Sequence, residues 1–250
     1  MGDKIYLYDG SFEGMLTCVF EAYYRRENPA YIEPESDSQM RFGSDYEYIK
    51  TDEQKAERVF SAVKFKISPQ AAHNVMYTYL SDAADKEKNI LEYLRLGFRV
   101  GRTVDMRLAE DCVRFVAENA QRVGSEAHSY KGLVRFSELS DGAFYSEIEP
   151  KNNVLPILAR HFASRLSGIP WIIFDLRRRL CCVYDTQKWY LHPTDSVRAE
   201  LSDDEEKYRA LWREFYNTIE IKERHNEKCR MTNMPKRYWA HLTELNCIGE

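Results

Sequence analysis

The sequence has no apolar run near the roughly 20 residues needed to cross a bilayer; its longest, such as Ile169–Phe174 and Val154–Leu158, are a fraction of that. No membrane contact is expected. The N-terminus, MGDKIYLYDGS, carries Asp3 and Asp9 and lacks the apolar segment of a secretory signal, so a cytoplasmic location is expected. The six cysteines (18, 112, 181, 182, 229 and 247) show neither C-x-x-C pairing nor iron–sulfur spacing, which predicts reduced thiols and no metal centre. Also missing are H-E-x-x-H, the G-x-S-x-G elbow, both glycine-rich nucleotide motifs and a water-activating Asp-Pro-Tyr motif. With none of these present, no cofactor is expected within the chain.

What is there is an ordinary folding composition. Of 250 residues, 44% are apolar and 30% charged, enough to pack a core. Acidic residues exceed basic ones, 40 to 36, so any nucleic-acid contact must be a local patch.

Periodicity divides the chain into three parts expected to pack as one body: a mainly helical lobe over 1–125, a sheet unit over 126–198 and a helical basic–aromatic segment over 199–250. The fold class is α+β. Ser11 is a cap candidate ahead of the stripe Phe12, Met15, Leu16, Val19 and Phe20. Residues 28–48 read as a surface loop ending in a strand near Tyr46–Lys50. A capping box at Thr51 and Gln54 and the Ser68-Pro69 pair start further helices, and Gly101 ends another. The runs LVRFSEL, AFYSEIE, PWIIFDL and LCCVYD read as strands, with the helix Val154–Leu166 in the middle and KWYLH as a fifth strand. This ββαββ order suggests an antiparallel sheet with the helix on one face. Ser202 and Glu205 form another capping box, before a helix with apolar Tyr208, Leu211, Trp212, Phe215 and Ile219.

The richest constellation is IKERHNEKCRMTNMPKRYWAHL. There Lys222, Arg224, His225, Arg230, Lys236 and Arg237 are interleaved with Tyr238 and Trp239. Cations neutralise phosphates and aromatic faces stack on unpaired bases, so the mixture suits single-stranded or flipped-base contact. A solvated helix face with Trp239 plugging the core would give the same pattern. Histidines can carry acid–base chemistry, and His128 and His161 could meet a carboxylate such as Glu126 near the sheet. Arg177, Arg178 and Arg179 after Asp175 could present guanidinium groups to phosphate or form a charged hairpin tip. Glycines in YDGSFEG stand near a helix start that could hold phosphate, without a recognised motif.

Read in order, YDGSFEGMLTCVFEAY, EYIKTDEQKAERV, KISPQAAHNV, YLRLGFRVG, RVGSEAHSYKGLVRF, NVLPILARHFASR with PWIIFD, and LWREFYNTIEIKERHN with MPKRYW resemble one bacterial family, described as a probable DNA metabolism protein. The resemblance runs from about Ile5 to Leu245. It implies a domain of unknown function associated with a radical S-adenosylmethionine DNA modification or repair protein, and in some relatives fused to a uracil-DNA glycosylase-like domain. It brings no established catalytic residues; RVGSEAH, LARHF and MPKRYW make His128, His161, Lys236, Arg237 and Trp239 candidates by motif membership. Two functions follow as expectations. One is a DNA-binding adaptor that serves the radical enzyme. The other is a hydrolase or glycosylase acting on a modified nucleotide through a histidine–carboxylate pair.

Overall fold

A computed structural model describes residues 3–38, 41–219, 221 and 226–245, and the chain divides into two compact units, Met1–Gly124 and Ser125–Glu250. In the first unit, Lys4–Tyr8 (β1) is the middle strand of three, flanked by Tyr31–Pro34 (β2) and Asp45–Tyr48 (β3), both parallel to it. A central parallel strand is covered on both faces, and Ile5, Tyr6 and Tyr8 are all buried. The sequence signals β1 and β3 but not β2. Tyr31–Pro34 becomes a strand because the helix Phe12–Tyr24 (α1) returns the chain alongside β1.

Ser11 caps α1 as expected, its hydroxyl accepting from the Gly14 amide at 2.9 Å. Gly14 is required there. A Cβ at this position would lie 2.3 Å from Asp9 Oδ1 and 2.8 Å from Thr51 Oγ1, the two groups whose hydrogen bond ties the β1–α1 turn to the segment before the next helix.

That helix, Glu53–Ala62 (α2), is capped by Asp52, one residue beyond the expected box. It widens into a π turn over Val63–Ile67, closed by the Ser68 amide donating to the Val63 carbonyl at 3.1 Å. Ser68 and Pro69 then open Pro69–Tyr79 (α3) as expected. The helix Lys86–Val100 (α4) stops at Gly101, whose φ of +66° few side chains adopt. The long helix Asp111–Leu133 (α5) follows. One core joins β1, α1, α2, α3, α4 and the start of α5, from Tyr6 to Val116.

In the second unit, Ser137–Glu138 (β4), Phe144–Ile148 (β5), Trp171–Asp175 (β6), Leu180–Tyr184 (β7) and Trp189–Pro193 (β8) form a sheet in chain order. The ββαββ succession with its fifth strand is present. One pairing differs from an all-antiparallel sheet: β5 and β6 run parallel because the helix Leu155–Arg165 (α6) joins them as a crossover, while the other pairs are antiparallel. Phe162 of α6 sets its ring edge-on to Trp171, which stacks on Tyr184. The opposite face gathers Leu139, Tyr145, Phe174 and Cys181.

Beyond the sheet come Glu205–Thr218 (α7), Glu227–Asn233 (α8) and a 3-10 turn, Lys236–His241. The Ser202–Glu205 capping box does not form. Instead the Glu205 carboxylate accepts the Glu138 amide at 2.9 Å and pairs with Arg209 at 2.7 Å. Cys18, Cys112, Cys181 and Cys182 are free thiols. Among the described residues no helix is long and apolar enough to cross a membrane.

Gly14→Ala tests the close approach at α1. Helix propensity alone favours alanine by about 0.5–1 kcal/mol, whereas the clash with Asp9 and Thr51 should lower stability by roughly 1–3 kcal/mol. Urea unfolding of the two proteins reads the sign.

Candidate nucleic-acid interface

The basic–aromatic run is partly assembled. Asn226 caps α8, its side-chain oxygen accepting from the Cys229 amide at 2.9 Å, and Pro235 precedes the 3-10 turn. This brings two cations, one from α8 and one from the turn itself, close to Trp239. The Arg230 guanidinium lies 5.0 Å and the Lys236 ammonium 5.8 Å from its ring centre. Trp239 is half-buried, and its indole N–H donates to the Met234 carbonyl at 2.9 Å, which fixes the ring while leaving part of it accessible. Arg230 also reaches Glu227 at 3.3 Å.

Tyr238 behaves differently. It is 3% exposed and packs edge-on to Tyr130 with centroids 5.0 Å apart, so it is a core residue with no free face for a base. Arg237 donates to its hydroxyl at 2.9 Å, which raises the guanidinium's pKa. Stacking in this segment therefore falls to Trp239. Lys222, Arg224 and His225 lie outside the described residues.

A buried carboxylate pins the segment. Glu244, its side chain 2% exposed, accepts from Arg135 at 2.6 and 3.2 Å and from the Trp212 indole at 3.0 Å. Burial alone would raise its pKa; the hydrogen bonds from Arg135 and Trp212 outweigh that and hold it below the usual carboxylate value.

The histidine–carboxylate pair does not assemble. Both Glu126 oxygens are taken by the loop before α6: Oε1 accepts the Lys151 amide at 2.9 Å, and Oε2 the Asn152 amide and side chain at 2.8 and 2.6 Å. His128 follows two positions later on the same helix, where side chains do not face each other, and it is exposed. His161 sits half-buried against Phe162, and its Nε2 has no hydrogen-bond partner among the described residues. Desolvation, with Lys131 and Arg165 nearby, lowers its pKa. No group of three or more potential metal ligands occurs among the described residues.

The FDLRRR segment is a hairpin tip. Asp175 is fully buried and accepts the Arg177 and Arg178 amides; desolvation raises its pKa although Arg178 pairs with it at 3.1 Å. Arg178 also donates to the Pro150 and Lys151 carbonyls, so it and Glu126 clamp one loop, while Arg179 pairs with Asp195. At YDGSFEG the helix start is filled by the protein itself: the Asp9 carboxylate accepts from Ser11 and Thr51. An anion there would meet a carboxylate.

Two features were not read from the sequence. The apolar stripe of α7 faces solvent, with Tyr208, Leu211, Trp212, Phe215 and Ile219 all exposed. Helical period marks such a stripe but not whether it faces the core or solvent. Beside it, Arg135, Arg209, Arg213 and His241 line a cleft of about 330 Å³ together with Glu147. These residues come from distant parts of the chain.

Arg135→Ala would leave the Glu244 carboxylate buried and uncompensated, at a cost of roughly 3 kcal/mol. Faster hydrogen exchange over 236–245, with little change in α6, is the expected readout. Because the folded pKa of Glu244 is depressed, its stabilisation is complete above the normal carboxylate range and is lost as pH falls through the folded value. The same segment should loosen first on acidification.

The profile of a family described as a domain of unknown function, DUF4130, matches residues 84–244. No curated protein and no solved structure matches the chain. Since the matched span covers well over half the sequence and takes in α4, the five-stranded sheet and the pinned basic–aromatic turn, the chain belongs to the DUF4130 family.

Proposed function

We propose that this protein is a DNA-binding accessory factor of DNA metabolism, an adaptor for a radical S-adenosylmethionine DNA modification or repair enzyme. The observation that carries the DNA half is Trp239 with Arg230 and Lys236 both close to its ring on the pinned C-terminal turn. A stacking ring flanked by phosphate-neutralising cations suits an unpaired or flipped base, which offers a flat face and a charged backbone together. The adaptor half rests on the sequence resemblance to a family associated with such an enzyme. It is supported by the exposed apolar stripe of α7, since solvent-facing apolar patches of this kind mark protein–protein contact. In this reading the partner supplies the reactive cofactor and the chemistry.

The alternative, a hydrolase or glycosylase, has less support: Glu126 holds a loop, and neither His128 nor His161 meets it.

Replacing Arg230, Lys236 and Arg237 together by alanine should weaken binding to a single-stranded oligonucleotide and flatten its salt dependence by about 0.7 of slope per lost contact. A folded variant that binds unchanged removes the patch from the account. The pure protein is expected to leave oligonucleotides bearing uracil, oxidised or alkylated bases intact. Turnover abolished by His128→Ala or His161→Ala would overturn the adaptor reading.

A further inference from the structure

The first unit holds a second basic–aromatic surface that the sequence did not announce. Helices α1, α2 and α4 enclose a groove of about 410 Å³, within the range of small-molecule sites. Its floor is apolar, with Val59, Leu91 and Leu94 buried. Its wall is aromatic: the Phe20 and Tyr24 rings stack 5.9 Å apart at 11°, and Tyr23 meets Phe98 edge-on at 6.1 Å. Tyr23 and Tyr24 are 63% and 77% exposed, so their ring surface is open to solvent.

Arg58, Lys66 and Arg95 complete the lining, with no carboxylate among the described lining residues; Arg95 pairs with Glu92 at 3.3 Å, which leaves Arg58 and Lys66 as the cations to meet a ligand. On a chain whose acidic residues outnumber its basic ones, this is a local reversal of charge. Arg95 is fixed from behind, donating to the Glu27 carbonyl at 2.5 Å and to Asn28. Arg58 lies 5.3 Å from the Phe20 ring centre. Neither Arg58 nor Lys66 has an ion pair among the described residues. Lys66 stands on the π turn, a distortion common at functional sites. That turn is seated by Gly97 of α4, where a Cβ would come 2.6 Å from Ile67 Cδ1.

We infer that this groove binds a single nucleotide, free or as an unpaired residue of a DNA strand, with the base on the Tyr23–Tyr24 wall and the phosphate between Arg58 and Lys66. A simple anion would leave the aromatic wall unused, and a neutral apolar ligand would leave the cations unused; a nucleotide uses both. The compact volume suits one nucleotide better than a helical peptide. The inference does not depend on Trp239 or on the proposed function.

The test is calorimetric titration of the full-length protein with four probes: deoxynucleoside monophosphates, a short single-stranded oligonucleotide, inorganic phosphate and an acidic amphipathic peptide. A monophosphate or the oligonucleotide should bind at least about tenfold more tightly than phosphate, and the tighter of the two identifies the source. Arg58→Glu with Lys66→Glu, and separately Tyr24→Ala, should each weaken that binding about tenfold or more, consistent with the loss of one stacked base. All three positions are exposed, and circular dichroism is the check that each variant folds. The inference is overturned if neither nucleotide probe binds, if binding survives the charge reversal, if phosphate binds as tightly, or if the peptide alone binds.

Discussion

The second unit's candidate surface depends on one desolvated carboxylate. Glu244 is shut away from water between Arg135, two residues past the end of α5, and the Trp212 indole of α7. A buried charge is tolerable only while every partner stays in place, so the bond acts as a rivet. With Leu242 buried and Tyr238 packed on Tyr130, it holds the Lys236–His241 turn in one conformation. Trp239 and its two cations are therefore presented preformed, which reduces the ordering cost of binding.

Carboxylates fix the backbone elsewhere too, buried or not. Glu126 and the Asp175–Arg178 pair clamp the loop before α6, Asp9 holds the start of α1, and Glu205 captures the Glu138 amide. In each case a carboxylate that could have been taken for an acid or base is committed to hydrogen bonds within the protein. What remains exposed is charge beside aromatic rings and an apolar helix face, an inventory suited to recognition.

Local signals were legible. Ser11, Ser68-Pro69 and Gly101 mark helix ends through cap chemistry that acts within a few residues, and the sheet strands follow from short apolar runs bounded by turn residues. The rest depends on distant partners. Tyr31–Pro34 is a strand only because β1 lies beside it, and the parallel β5–β6 pairing follows from the α6 crossover. Tyr238 and Trp239 are adjacent and both aromatic, yet one is core and the other half-buried. The α7 stripe has the helical period the sequence shows, but its exposure depends on what packs beside it. In the first unit, Phe20, Arg58 and Arg95 meet only through helix packing, so no motif could have joined them.

Each unit thus carries a place where aromatic rings stand beside cations. The central claim is that the C-terminal one touches an unpaired DNA base, and photocrosslinking tests it most directly. A single-stranded oligonucleotide with one 4-thiothymidine is irradiated with the protein, and the adducts are mapped by mass spectrometry. Adducts on the peptide carrying Trp239, suppressed at high salt, are the predicted result; crosslinking that leaves that peptide unmodified while labelling other surfaces would contradict the account.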